Sequence, residues 1–213
     1  VKKFLRQIAI TFNGAYDTST SKGRSLERNR RILLTSITGS ISKLLSMAIP
    51  LITVKITYNY LGEELYGLWS ATTSFFAIFQ FADLGLANGL KTKLSHAYGR
   101  EDLHLSRQLI SSTYSVLTII SMLILLVFII MYPIIDWARV VNAETEKAIA
   151  LAGGVVFAIV FSRILMIPLS LVNRTQLALQ EGYRSNIWTS FSYILSLVLI
   201  YVVSKLDLGI LTM

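Results

Sequence analysis

Four ionisable side chains stand inside or beside long apolar runs of the sequence, where a charge is costly. They are Lys43, Lys55, Asp83 and Arg163. A charge at the centre of a bilayer needs a charged partner, water or an escape to the interface. Lys55 stands at the end of its run, so its stem can carry the ammonium to the headgroups. Lys43 is the middle residue of the run 32–54, with eleven residues on either side, and has no such escape.

A polar stripe accompanies Lys43 along one face of the helix that this run predicts. Its members follow one another at steps of three or four residues, which places them on one helix face: Ser36, Ser40, Lys43, Ser46, Pro50 and Thr53. In one interpretation the stripe lines a wet cavity where Lys43 and Ser40 bind substrate. In the other, its small residues serve close helix packing and Lys43 pairs with a carboxylate.

A second stripe in the next apolar run brings Gln80 and Asp83 to one helix face. Asp83 and Arg163 have opposite charges and lie about 10 and 14 Å from the same side of the membrane, at ~1.5 Å per residue. A structural salt bridge between them is therefore one interpretation. In the alternative, Asp83 takes part in coupling transport to protons or sodium. Arg163 then binds an anionic substrate group, because a guanidinium can make bidentate contacts to a phosphate. The candidate substrate-binding residues are thus Lys43, Arg163, Ser40 and Gln80.

Bond-making chemistry finds no support in the residue patterns. The chain has no cysteine, which excludes disulfides, thiolate metal sites and a cysteine nucleophile. His96 and His104 fall in a charged loop without metal-ligand spacing. No phosphate-binding glycine loop, nucleophile elbow or paired-carboxylate motif is present. We therefore predict no catalytic residue, no metal and no cofactor, in a protein that is not an enzyme.

The composition places these residues in membrane helices. The 213 residues are 54% hydrophobic and 15% charged, whereas soluble domains carry about 25% charge. A run of about 20 apolar residues crosses a hydrocarbon core of ~30 Å. We predict an all-α integral membrane protein with about five transmembrane helices plus the start of a sixth. The spans lie near 32–54, 65–90, 109–135, 148–172 and 187–204, with a truncated one at 208–213.

The distribution of basic residues predicts the orientation of these spans. Residues 1–31 form a basic segment without the apolar core of a signal peptide, and their first part suits an amphipathic helix on the membrane surface. This segment and the loops after the second and fourth spans hold 14 Lys and Arg, against three in the opposite loops. The positive-inside rule then puts the N-terminus in the cytoplasm, with the transmembrane lobe 32–213 in the cell (inner) membrane. The net charge of +8 requires no nucleic-acid partner.

Two motifs at the second span resemble the N-terminal region of polysaccharide flippases. One is Tyr60-Leu-Gly-Glu-Glu-Leu-Tyr-Gly-Leu-Trp69, and the other is Gln80-Phe-Ala-Asp-Leu-Gly-Leu86, followed by a basic loop with Arg100-Glu-Asp102. These flippases are the O-antigen and capsule-type exporters of the multidrug/oligosaccharidyl-lipid/polysaccharide superfamily. The similarity covers most of residues 32–204 in element order and spacing, and its sharp part is about thirty residues.

The resemblance implies a transporter of twelve or more helices in two six-helix lobes, of which this chain supplies the N-terminal lobe. Lipid-linked oligosaccharide passes between such lobes by alternating access, so the implied partners are that glycan, membrane lipids, polysaccharide assembly proteins and a second lobe absent from these residues. By position, Lys43 and Arg163 would add to a cationic cavity for the pyrophosphate-linked sugar, although neither belongs to a motif. We interpret the residues that match the family's motifs as having a structural role in the first place. They are Gly62, Tyr66, Gly67, Asp83 and Gly85.

Two other functions stay open at this point. A drug/cation antiporter of the same superfamily would carry carboxylates facing its cavity, and Asp83 is the one acid available in the five predicted spans. The missing second lobe instead suggests a non-transporting membrane component or a truncated remnant.

The predicted orientation can be tested by cysteine labelling, because the chain has no native cysteine. We expect a cysteine replacing Arg100 to resist a membrane-impermeant maleimide added to intact cells. A cysteine replacing Glu63, in an opposite loop, is the control and should react. Labelling of position 100 from outside would reverse the orientation.

Overall fold

The structure is a computed structural model of the chain, and it describes residues 16–17, 19–206 and 210, with Gln80 described by its backbone alone. Within those residues the regular elements are helices, and no β-strand occurs. The predicted amphipathic helix near the N-terminus and the truncated span 208–213 lie outside the described residues, apart from Ile210. The elements are α1 (Ser21–Phe75), a 3-10 helix (Phe76–Phe81), α2 (Leu86–Gly99), α3 (Leu103–Met131), α4 (Trp137–Val140), α5 (Glu146–Ala178) and α6 (Gly182–Leu206).

Four helical segments in this part of the chain are long and apolar enough to cross a membrane. They are the 59-residue run Ser21–Phe79, which joins α1 to most of the 3-10 helix, and the helices Leu103–Met131, Glu146–Ala178 and Gly182–Leu206. The prediction of an all-helical chain with membrane-spanning segments is confirmed to that extent. The number of five spans and the six-helix lobe stay predictions.

Gly62 divides α1 into two arms that run in opposite directions. Its backbone angles, φ 78° and ψ 175°, are not helical. Before it, Arg31 contacts the chain just after the C-terminal end of α5, through the carbonyl oxygen of Leu179. After it, Glu64 accepts hydrogen bonds at the N-terminal end of α5, from the N–H groups of Glu144 and Thr145. The first arm, 21–61, therefore spans the length of α5, and the chain turns back at Gly62.

The returning chain follows α5 and is interrupted on the way. The second arm, 63–75, packs Leu65 and Leu68 into an apolar cluster with the N-terminal half of α5. After the 3-10 helix and a turn at 82–85, α2 packs Leu90 and Leu94 against the C-terminal half of α5. The predicted span 65–90 thus corresponds to two helical pieces joined by non-helical backbone.

A buried hydrogen bond fixes α3 against α5. Pro168 lies inside α5 and has no N–H to donate to the carbonyl of Ile164, four residues earlier. The hydroxyl of Ser121 in α3 donates to that carbonyl oxygen at 2.9 Å. Because a buried carbonyl without a donor costs free energy, this bond sets the depth at which the two helices meet.

Three helices end on non-glycine residues in the left-handed conformation. Glu101, Asn142 and Gln180 have φ of 58°, 53° and 60°. The next residue in each case donates its N–H back into the last turn, as Asp102 does to Ala97, which is the Schellman ending of a helix. The connections between these helices are consequently short, and Asp102 goes on to cap α3 by accepting from the N–H of Leu105.

The reversal at Gly62 generates a prediction about glycine substitution. Its φ and ψ fall in a region open almost only to glycine, so Gly62→Ala should cost about 1–3 kcal/mol, although an added Cβ would meet no atom within 4 Å. Gly67 is the matched control, because it is helical and equally open, and Gly67→Ala should be neutral or stabilising by up to about 1 kcal/mol. Thermal unfolding in detergent micelles measures both. Equal stability of the two variants would show that the turn does not require glycine.

Candidate functional site

Lys43 lies on a face of the first arm of α1 that the rest of the described chain leaves uncovered. Lys43 is exposed, as are Ser36, Ser40 and Pro50 of the same stripe, whereas Ser46 and Thr53 are half-buried. Within the described residues Lys43 forms no ion pair. The ammonium predicted to sit at mid-membrane is therefore open to whatever faces this helix.

A different face of the same arm packs on α6, which explains why the stripe stays open. The amide nitrogen of Asn186 in α6 donates to the carbonyl oxygen of Thr35 at 3.0 Å and to the hydroxyl of Thr38 at 3.2 Å. Leu34, Ser42 and Ile49, which share that face, are buried. The polar stripe is therefore not the surface that packs α1 within this chain.

The serine hydroxyl groups of the stripe donate hydrogen bonds to the backbone of their own helix. Ser40 donates to the carbonyl oxygen of Ser36 at 3.0 Å, and Ser36 donates to that of Ile32 at 3.0 Å. A hydroxyl that donates to the backbone still has lone pairs that accept. The stripe thus offers a cation together with hydrogen-bond acceptors, a combination that suits phosphate and sugar hydroxyl groups.

Arg163 lies in α5 and is also exposed, although its neighbours are among the most buried residues. Val160 and Ile164 are 0% and 1% exposed, while Arg163 is exposed and forms no ion pair within the described residues. Ile164 lies about 27 Å from the start of α5 and about 21 Å from its end, at ~1.5 Å per residue. Arg163 therefore extends from near the middle of α5.

Asp83 holds the interruption between the 3-10 helix and α2 together. Its carboxylate oxygen Oδ1 accepts from the N–H of Gly85 at 3.1 Å, and its carbonyl oxygen accepts from the N–H of Leu86 at 2.8 Å. Leu84 and Gly85 both have positive φ, 49° and 77°. The side chain of Asp83 thus supplies an acceptor that the broken backbone needs, which is a local structural role.

The candidate residues are not joined to one another in the structure. No ion pair connects Asp83 to Arg163 among the described residues, so the salt-bridge interpretation finds no support, and no hydrogen bond connects either to Lys43. The interruption at Asp83 falls where the returning chain passes from the apolar cluster that ends, within α5, at Ile164 to the one that begins there at Ile167. Gln80 has no described side chain.

The sequence analysis did not predict the polar contacts at the two ends of α5. Arg31 belongs to the basic segment 1–31 that predicts the orientation, and in the structure it reaches Leu179 and Glu181 across the bundle. Glu64 lies in the first of the two sequence motifs, and it accepts from the N–H groups of Glu144 and Thr145, immediately before α5 begins. The spacing of Glu27 and Arg31 at i and i+4 signals a local pair, whereas the contact across 150 residues has no signal in the sequence. Within the described residues no group of three or more His, Cys, Asp or Glu side chains is arranged to hold a metal.

Comparison with known proteins gives no relative from which a role could be carried over: the chain matches no family model, no curated protein and no solved structure. The assignment of function therefore depends on the residues themselves.

The local role of Asp83 predicts different effects on stability for two substitutions of this residue. Asp83→Asn keeps an Oδ1 acceptor for the N–H of Gly85 and removes a charge from membrane depth, so its stability should match that of the native chain. Asp83→Ala removes the acceptor and should cost about 1 kcal/mol. Thermal unfolding in micelles distinguishes the two. If Asn proves as damaging as Ala, the charge of Asp83 matters more than the turn.

Proposed function

We propose that this chain is the N-terminal lobe of a transporter that flips lipid-linked oligosaccharide across the cell membrane by alternating access. The glycan would be of O-antigen or capsule type, and the N-terminus would be cytoplasmic. The observation that carries the proposal is the exposed, unpaired Lys43 in the middle of a predicted span.

The surroundings of Lys43 decide what its charge costs in the membrane. An ammonium group is unfavourable in hydrocarbon: on insertion scales, a lysine at the centre of a transmembrane helix costs about 2.5–3.5 kcal/mol. The described part of the chain provides no carboxylate for it. Water in a cavity, or an anionic ligand that enters that cavity, removes this cost.

The chemistry of the stripe favours an anionic, hydroxyl-rich ligand. Lys is a point charge that suits a phosphate oxygen, and Arg163 offers a planar, bidentate contact to a phosphate. Ser36 and Ser40 direct their protons to the helix backbone, which leaves their oxygens to accept from sugar hydroxyls. A polyprenyl-type diphosphate sugar presents both groups, and its lipid tail can remain in the bilayer beside the cavity.

The interruption of the second segment supports the same proposal. Non-helical backbone at membrane depth is tolerated where protein buries it or where it lines a water-filled cavity, and interrupted helices form the substrate sites of many transporters. Here Phe81 and Leu84, on either side of Asp83, are 69% and 79% exposed within the described chain. A second lobe or a cavity against this region would cover the break.

Substitution of the two cations tests the proposal in the full-length protein. Lys43→Ala and Arg163→Ala should each lower export of lipid-linked glycan by about thirtyfold or more, because truncating one partner of a close charge pair costs at least ~2 kcal/mol. Surface polysaccharide and the transbilayer distribution of the lipid-linked precursor are the readouts.

Lys55→Ala is the matched control. Lys55 is an exposed lysine on the same arm of α1, but it lies at the end of the predicted span, so its loss should leave export unchanged. Membrane insertion should be equal in all variants. Normal export in both single variants and in the double variant would refute the cationic cavity, and export of a cationic drug instead would favour the antiporter.

A further inference from the structure

Pro50 and Pro168 lie inside helices that are long and apolar enough to cross a membrane, and each frees one backbone carbonyl oxygen. Proline has no N–H, so the carbonyl oxygens of Ser46 and Ile164, four residues earlier in each helix, lack their helical donor. At membrane depth such a group is satisfied by a neighbouring helix, a local hydroxyl, water or a local change in the helix. The donor that each oxygen receives therefore indicates what lies against its helix.

The carbonyl oxygen of Ile164, in α5, receives its donor from another helix of this chain. The hydroxyl of Ser121, in α3, donates to it at 2.9 Å. Both residues are buried, at 6% exposed for Ser121 and 1% for Ile164. The carbonyl that Pro168 frees is thus satisfied by the packing of the bundle.

The carbonyl oxygen of Ser46, in the first arm of α1, receives no donor of this kind. No side chain in the part of the chain that the structure describes donates to it. The nearby hydroxyls have other acceptors: that of Ser46 donates to the carbonyl oxygen of Lys43 at 2.8 Å, and that of Thr53 to that of Pro50 at 3.1 Å. Pro50 is exposed, and Leu51 beside it is 76% exposed. The oxygen is therefore available to a donor from outside the described residues.

The freed oxygen lies on the same uncovered face as the ammonium of Lys43. Lys43 and Pro50 are seven residues apart, which is about two helical turns, so they share a face. The carbonyl of Ser46 points along the helix toward Pro50, and Ser46 lies about 4.5 Å beyond Lys43 along the axis, at ~1.5 Å per residue. A cation and a backbone acceptor thus stand on one face at a spacing that one sugar ring can bridge.

We propose that the carbonyl oxygen of Ser46 is an acceptor of the substrate site and binds a hydroxyl group of the sugar that carries the phosphate. This inference rests on the proposed function and names the part of the substrate that the first arm recognises. Ser36 and Ser40 also direct their protons to the backbone, so the face offers a cation and acceptors. A sugar phosphate is complementary to it, because the phosphate supplies the anion for Lys43 and the hydroxyl groups supply the donors.

Pro50→Ala tests the acceptor without changing a polar side chain of the stripe. Alanine supplies the N–H that returns the carbonyl oxygen of Ser46 to the helix. Glucose 1-phosphate and methyl phosphate are matched probes, because both are dianionic phosphate monoesters at about pH 8 and only the first has hydroxyl groups. Saturation-transfer NMR on the full-length protein in lipid nanodiscs measures the dissociation constant of each.

The two probes should respond differently to Pro50→Ala. The dissociation constant of glucose 1-phosphate should rise about two- to tenfold, the effect of one lost hydrogen bond, and that of methyl phosphate should stay unchanged. Lys43→Ala should raise both constants. The thermal unfolding temperature of Pro50→Ala should not fall, because alanine is favoured over proline inside a helix.

Pro168→Ala is the matched control. The carbonyl oxygen of Ile164 already accepts from Ser121, so this substitution should leave the ratio of the two dissociation constants unchanged.

Two results with Pro50→Ala would overturn the inference alone. An equal rise for both probes would show that the proline acts through the shape of the helix, and an unchanged constant for glucose 1-phosphate would show that water or a second lobe satisfies the oxygen. If Lys43→Ala changes neither constant, or the native protein binds neither probe, the cationic site of the proposed function fails, and the inference fails with it.

Discussion

The two ends of α5 bind charges from α1, and the placement of the other elements follows from this. At the N-terminal end, the carboxylate of Glu64 accepts from the N–H groups of Glu144 and Thr145. At the C-terminal end, the guanidinium of Arg31 donates to the carbonyl of Leu179. Each charge has the sign that complements the helix macrodipole at its end and satisfies groups that a helix leaves without partners. Both anchors belong to one continuous segment, so α1 must span the length of α5 and reverse between them, at Gly62.

This arrangement also fixes where the interruption falls. The returning chain has to cover α5 from Glu64 to the level of Ala178, where the hydroxyl of Ser95 in α2 reaches the carbonyl oxygen at 3.4 Å. It does so in two helical pieces, and the turn at 82–85 separates the piece that packs on the N-terminal half of α5 from the piece that packs on its C-terminal half. The middle part of α5, which this returning chain covers, also carries Arg163 and Pro168. In a bilayer these features are tolerated together only where protein or water surrounds them.

The sequence predicted the parts of the fold that depend on local hydropathy. The run 148–172 lies within α5 and 187–204 lies within α6, because apolar length alone makes such a helix. Helix ends were less predictable. The first helix, α1, begins at Ser21, eleven residues before the predicted span, and the charged residues between them are helical. Its N-terminal cap is Thr20, whose hydroxyl oxygen accepts from the N–H of Gly23. The interruption at Asp83 was not predicted, because one glycine in an apolar run does not by itself specify a break. Contacts between residues 150 positions apart, such as Arg31 with Glu181, depend on the packed bundle and leave no periodic signal.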